Sequence, residues 1–592
     1  MKLTHSEMKL VRSAASGHML DLVPDFPTSH TVDQEEMRSW KKNHEIRSEI
    51  IRDIMTGRLA PAAGFSPHGL RLRGAHIVGE VDIENLESTI PLELIACYIP
   101  DGINARNCSL PNVTIAFGIV GRCDRKLVQG ALDLTNAEIT NDCVLTGTKI
   151  INGGGPALAG ENLVVKGNMQ LTSPFHAEGS GEMGAVRLVG ARIGSRLNFS
   201  GAYLANPDGP ALRAGALSTG SGLYLREGFT AKGYGQDGSI RLARANIGGR
   251  VSMSQSSVSN PNGPALNAPG IIVGLDLRLH DGFKAYGEGP SGAVQLSGAR
   301  IQGRASFRGS ILKNNSGPSL VANEIHIDND LYLDGSFCQS ATCDAGSVFL
   351  RNAMVGALHV SSEVIDAAVN ASCLNQTDRH SRNAGMSPRE SRNSSNWCID
   401  GLTYEGIPTE KAADWLKLIR RGTSVYTAQP YQRLAEVLRN MGHDAEARMV
   451  LIAQRKDHLW RGQPGVLAKI WGWLTYITVG FGYRSWLPLC WLGLLFGLAY
   501  LAVFVAWPDG LATVLSMTKE NLEPQCVPIE KIQVTVEMII PFLATGVEKM
   551  CQINSRNSDG MWLASFAIAI RALSWTLFTL FVAGFTGIIR RN

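Results

Sequence analysis

The sequence predicts a mainly β protein, a parallel β-helix solenoid with a helical N-terminal cap, a helical adaptor and two C-terminal transmembrane helices. Three observations predict it. A 54-residue period runs through the middle of the chain, apolar residues alternate with a period of two inside each copy, and two long uncharged runs lie near the C-terminus. Bulk figures hide this division. The 592 residues are 44% hydrophobic and 18% charged, and their mean hydropathy is zero. Average domains carry about 25% charged residues and about 7% glycine, whereas this chain has 63 glycines. Disorder needs low hydrophobicity with high net charge and is excluded. Lys and Arg total 56 against 52 Asp and Glu, a net charge of +4. That balance is too even for a phosphate-neutralising surface, so nucleic acid is not an expected partner. The glycines do not fall at every third position, which excludes collagen.

Residues 1–65 read as a helical cap, carried by HEIRSEIIRDIMTG. Met1 to Leu22 lacks an apolar core of the signal-peptide kind, so the bulk of the chain is expected in the cytosol. The repeat domain is expected over 66–402, starting from GLRLRGAHIVGEVDI (69–83). Its clearest copies begin at Ala131, Ala185, Ser239, Ala293 and Ser347, each after a glycine. Three residues in stand Leu134, Leu188, Leu242, Leu296 and Leu350; six in stand Ala137, Ala191, Ala245, Ala299 and Ala353. Halfway along, Gly-Pro recurs at 155–156, 209–210, 263–264 and 317–318. Short alternating segments punctuated by glycine mark strands. Each copy splits into two similar halves, and a half suits one coil of a parallel β-helix, with coils about 4.8 Å apart. About 12 coils are expected on this spacing. A polar insert follows at 375–396. Residues 403–465 then read as a helical hairpin adaptor in which Tyr431, Leu434, Val437, Leu438, Met449 and Ile452 pack together.

The last segment, 466–592, reads as a membrane module. Trp486 to Trp507 holds 22 residues without a charge, enough at 1.5 Å each to cross a bilayer core of about 30 Å. The second span is expected at 566–589, and Arg571 interrupts its apolar stretch. Basic residues cluster before the first span (Arg455, Lys456, Arg461, Lys469, Arg484) and after the second (Arg590, Arg591). The loop 508–560 holds four basic and seven acidic residues. Both termini are therefore expected on the cytoplasmic side of a bacterial inner membrane, with the loop outside. Cys526 and Cys551 then share an oxidising compartment, where a disulfide is expected. The other cysteines lack the CxxC pairs and histidines of a zinc site, so no metal is expected.

Together, IRSEIIRDIMTG, LRLRGAHIVGEVDI, the repeats, PYQRLAEVLRNMGHDAEARMV, FGYRSWLPL and WTLFTLFVAGFTGIIRRN resemble a bacterial family. Its members are pentapeptide-repeat-like β-helical membrane proteins, often labelled "membrane-associated oxidoreductase". The resemblance covers nearly the whole chain and supplies no catalytic residues. Segments Gly179-Gly181-Gly184 and Gly287-Gly289-Gly292 match G-x-G-x-x-G. A dinucleotide site needs that motif between a strand and a helix. Here the two lie 108 residues apart, two periods, and read as the same turn between coils. No cofactor and no catalytic residue is therefore expected. Thr478-Val479-Gly480-Phe481-Gly482 resembles a potassium filter but precedes the first span, where it reads as an interfacial elbow.

Candidate functional residues lie in the membrane module. Arg571 is an intramembrane charge unless it sits at the outer interface. Glu537 lies in the apolar segment 532–546, a candidate re-entrant element, and could pair with Arg571. Ala583 and Gly587 form a small-xxx-small face suited to helix association and a homo-oligomer. The expected function is a membrane-anchored, non-catalytic scaffold whose solenoid face binds a protein partner. An oligomeric pore gated by the solenoid is the alternative, and an oxidoreductase, resting on the family label, is the second alternative.

Overall fold

Alternation of apolar and polar residues, broken by glycine every few positions, makes strands too short to form anything but corners and sides. In the computed structural model, Val186–Arg187, Arg192–Ile193, Leu197–Asn198 and Tyr203–Ala205 are four short strands of one coil. Residues 2–24, 34–61, 64–122, 129–334, 348–369, 397–406, 412–423, 426–462, 465–484, 486–513, 526–540, 542–554 and 558–586 are described. They form two units, Met1–Met441 and Gly442–Asn592. In the first unit, Val186, Leu188, Ile193, Leu197, Phe199 and Leu204 face inward and are buried. Each strand pairs in parallel with its equivalents one coil away: Val186 with Leu158 and Leu212, Leu197 with Met169 and Leu223. Tyr203 likewise pairs with His176 and Thr230. The result is a parallel β-solenoid of about eleven turns: two faces are 11-stranded sheets, and a 22-stranded sheet wraps the rest.

The expected start at residue 69 is late. Leu20–Asp21 pairs with Leu72–Arg73, and Glu45–Arg47 pairs with His76–Val78. Strands therefore alternate with the helices α1 (His5–Ser16), α2 (Gln34–Ser39) and α3 (Ser48–Met55) at this end. At the other end, Thr403–Gly406 adds to Met354–Val360. Two helices follow, α4 (Ala412–Arg421) and α5 (Gln429–Asn440). Arg433 of α5 donates to the Tyr404 carbonyl at 2.9 and 2.6 Å, and Trp415 of α4 stacks on Tyr404 at 5.7 Å. These contacts cover what would otherwise be a bare sheet edge. The polar insert 375–396 lies outside the described residues.

The corners explain the spacing of the coils. From Leu158 to Val186 the register step is 28 residues, and from Val186 to Leu212 it is 26. The longer step contains the Gly179-Gly181-Gly184 turn; the shorter contains Asn206-Pro-Asp-Gly-Pro210. A further G-x-G-x-x-G turn, Gly233-Gly235-Gly238, occupies the next long step, before Ile240. All three run from strand to strand. In the short turns a buried asparagine, Asn152, Asn206, Asn260 or Asn314, holds the corner. Asn260 Nδ2 donates to the carbonyls of Gly235 and Pro264 at 2.7 and 2.9 Å, while its Oδ1 accepts from Asn262 N at 3.0 Å. Asn206 makes the same bonds to Gly181, Pro210 and Asp208. Elsewhere, a Cβ on Gly220 would stand 2.1 Å from the Gly194 carbonyl oxygen of the previous coil, so no side chain fits there.

The N-terminal helix is held by one charge pair. Thr4 and Glu7 form a capping box, and Glu7 is fully buried. Its carboxylate also accepts from Arg47 Nε and Nη2, each at 2.7 Å. Bonding to Arg47 holds the Glu7 carboxyl down at about 2, against an ordinary 4.5.

In the second unit the elements are α6 (Asp444–Arg461), α7 (Val466–Val479), α8 (Leu487–Leu501), α9 (Pro528–Ile539) and α10 (Ser558–Phe585). A π-type turn, Ala502–Ala506, prolongs α8. Two helices are long and apolar enough to cross a membrane, Leu487–Ala506 and Ser558–Ala583. The second begins eight residues before the sequence reading placed it. Within the expected adaptor, Met449 is 46% exposed, and α6 buries Ala447, Val450 and Ala453 instead.

Two outcomes follow from these contacts. Asn260→Ala strands two buried carbonyls and one amide, which costs about 1–3 kcal/mol. It should lower the urea midpoint of the solenoid, whereas Asn262→Ala on the exposed side of the same turn should shift it by less than about 0.5 kcal/mol. For Glu7, a folded-state value below the unfolded one gives stability that is present above pH 4.5 and lost as pH falls toward 2. Arg47 is half-exposed, so the contribution is about 2 kcal/mol. Acid titration of wild type and Glu7→Gln should converge only as pH approaches 2, and parallel curves would contradict this.

Candidate functional site in the C-terminal module

Two structural ties bring the loop between the apolar helices back onto them. Leu511–Thr513 pairs antiparallel with Cys551–Ile553, so that Thr513 faces Cys551. Cys526 and Cys551 are joined by a disulfide with their Cα atoms 5.9 Å apart. Glu530 lies near both sulfurs, but sulfurs bonded to each other offer no thiolate to a metal. Leu495, Ala499 and Val503, Val534 and Met538 of α9, and Leu563, Ile570 and Leu577 of α10 make one apolar core. Trp507 packs on Phe566 at 5.5 Å.

Beside this core is an open cavity of about 720 Å³. Glu537, Met538, Cys551, Gln552, Arg571 and Trp575 are among its lining residues. The segment 532–546 is not a continuous re-entrant helix. Helix α9 ends at Ile539, Ile540 is extended, and Gly546 takes a left-handed conformation. Glu537 is what ties that bend together. Its side chain is 9% exposed, and its Oε1 accepts from both the amide and the hydroxyl of Thr545 at 2.5 Å. Glu537 and Arg571 thus line one cavity, but no ion pair within 4.0 Å joins them among the described residues. Arg571 is the fourteenth of 28 residues in α10, about 20 Å from the first. Arg571 therefore stands at the middle of the helix and not at its edge. Ala583 is partly buried, and Gly587 lies outside the described residues. Trp575, one turn beyond Arg571, and Gln552 were missed, although i to i+4 spacing from Arg571 points to Trp575.

The solenoid contributes packed thiols and outward rows. Burial pushes Cys97, Cys108 and Cys143 up to about 12, so these are core groups and not nucleophiles. On one face Arg187, Arg213 and Arg241 stand in register on consecutive coils. Arg187 pairs with Glu161, and Arg241 with Asp237 at 2.5 Å. Arg187 and Arg241 lie one 54-residue period apart, and Arg213 comes from the intervening half-copy. Near the C-terminal coils, Tyr332 stacks on His359 at 4.3 Å and bonds Asp330 at 3.3 Å, with Arg308 4.9 Å over its ring. Burial and the adjacent Asp330 carboxylate hold the Tyr332 phenol above its ordinary value.

Glu537→Ala removes the acceptor for the Thr545 amide and should lower stability by about 2 kcal/mol, while Glu537→Gln keeps a carbonyl there and should lose less than half of that. Thermal unfolding in detergent checks the difference. Compared with family models, with curated proteins and with solved structures, the chain shows no match.

Proposed function

We propose that the chain is a membrane-anchored, non-catalytic β-helix scaffold whose solenoid presents rows of side chains to a protein partner. The carrying observation is the contrast in surface chemistry. Only 22% and 17% of the most apolar windows of the two long helices are buried by the chain itself, which leaves apolar surface that water disfavours and lipid accepts. The solenoid keeps its aliphatic and aromatic residues inside and turns Arg, Asp, Tyr and His rows outward. In this reading the 54-residue repeat is a pair of coils, one closed by a glycine turn and one by Asn-x-x-Gly-Pro, and the N-terminal helices cap the stack. The resemblance to pentapeptide-repeat-like bacterial membrane proteins, an inner-membrane location and cytoplasmic termini belong to the same proposal. The disulfide between Cys526 and Cys551 supports an outside loop, since such bonds persist in oxidising compartments.

A pore is the second reading, and the cavity holding both Glu537 and Arg571 favours it. An oxidoreductase would need another site than the glycine fingerprints, because all of them turn from strand to strand.

Expressed in bacteria, the full chain should stay with the inner membrane through carbonate washing, and its release as soluble protein would overturn the anchor. In liposomes the scaffold predicts no ion flux above protein-free controls. Robust conductance abolished by Glu537→Ala or Arg571→Ala would establish the pore instead.

A further inference from the structure

The helix before the first apolar span has an unpartnered face of its own. Helix α7 runs back along α6: Lys456 Nζ lies 4.4 Å from the centre of the Tyr476 ring. Three residues on in α6, Leu459 lies against Gly472, where an added Cβ would stand 2.3 Å from its Cδ2. Gly472 and Tyr476, four apart, therefore face α6. The other side of α7 carries Leu467, Ile470, Trp471 and Leu474 at the i, i+3, i+4, i+7 spacing of a single stripe. These are 84%, 60%, 66% and 47% exposed. Trp460, at the end of α6, is 82% exposed.

Helix α6 fixes how α7 meets a bilayer. Arg455, Lys456, Asp457, His458 and Arg461 lie on the α6 segment that runs beside α7. Charged groups of that density do not enter the hydrocarbon region. A helix held antiparallel to α6 along its length therefore cannot be surrounded by lipid. It can lie at the boundary, with its stripe turned into the acyl chains and α6 above. Residues 455–484 carry five basic side chains (Arg455, Lys456, Arg461, Lys469, Arg484) against one acidic, Asp457, which complements an anionic headgroup layer. The stripe is also continuous in sequence with the apolar helix Leu487–Ala506 through the bend at Gly480 and Phe481, both with positive φ.

We propose that α7 is an in-plane interfacial helix that docks on anionic lipid, with Leu467, Ile470, Trp471 and Leu474 as its buried stripe. The proposal rests on the membrane-anchored reading above and specifies its lipid partner.

The test uses the full-length chain, with reactive cysteines other than Cys526 and Cys551 replaced by serine, in liposomes of phosphatidylglycerol with phosphatidylethanolamine. Nitroxide labels on Leu467→Cys, Ile470→Cys and Leu474→Cys report depth from oxygen and nickel-chelate collision rates, and Leu494→Cys on α8 serves as the reference for insertion. An in-plane helix places the first three at one shallow depth, within about 4 Å of each other. A helix that crosses the bilayer separates Leu467 from Leu474 by about 10 Å, and that result would overturn the proposal. Water-exposed labels on α7 with a deep label at position 494 would also overturn it while leaving the anchor intact. A water-exposed label at 494 would sink both readings. Equal depth and equal salt resistance in phosphatidylcholine alone would remove the anionic preference; the expected result there is a shift of the α7 labels toward water.

Discussion

Backbone hydrogen bonding between successive coils is the constraint on which the first unit depends. In a parallel stack every residue meets its own equivalent about 4.8 Å above and below, so a side chain is tolerated only if it tolerates a copy of itself. Inside, that condition selects aliphatic and aromatic side chains that layer: Phe175, Phe199, Phe229, Phe283 and Phe307 are all buried, and Phe199 meets Phe229 edge-on at 6.2 Å. Outside, asparagines satisfy it by bonding amide to amide, as Asn85, Asn107, Asn136 and Asn162 do at 2.9, 3.1 and 3.1 Å. At the corners it selects glycine, or an asparagine that ties one coil to the next. Charges satisfy it least well. The row Arg187, Arg213, Arg241 stacks like charges, and Glu161 and Asp237 flank it to offset them.

The same constraint made most of the solenoid legible from sequence. A position that must accept its own copy becomes a repeated letter, which is why the leucine, alanine and glycine columns stood out. What did not stand out were features whose letters are locally ordinary. Asn206 and Asn260 each sit three residues before the glycine of the Gly-Pro that marked the half-copy, yet an asparagine in a turn is common enough to pass unnoticed. The early strands Leu20–Asp21 and Glu45–Arg47 precede the regular repeat and have too few residues to show a period. Their place is set by pairing to Leu72 and Ile77, a tertiary fact that local pattern does not carry.

The second unit follows different physics, and a different part of it was readable. Apolar length announced both long helices, because a span needs about 20 residues without charge. Charge content did not locate the start of α10, since Ser558, Asp559 and Gly560 are polar and helical at once. Reading polarity as the end of a helix placed Arg571 near an edge. Glu537 stands out in the sequence as an acid in an apolar segment. Its partner does not, because Thr545 lies eight residues on, beyond a bend that no helical spacing anticipates.

Arg571 stands at the middle of α10, which constrains the proposed anchor. A span of about 30 Å leaves about 15 Å from its middle to either headgroup layer, more than an arginine side chain reaches. Under the proposed membrane anchor, an arginine at the bilayer middle cannot be relieved by snorkelling alone and needs a polar environment at its own depth. The 720 Å³ cavity that Arg571 lines also has Glu537 and Gln552 on its wall. Thr545 holds Oε1 of Glu537 through both its amide and its hydroxyl. The bend at the end of α9 and the charge within α10 therefore meet at one cavity: the bend fixes Glu537 on the wall that Arg571 also lines.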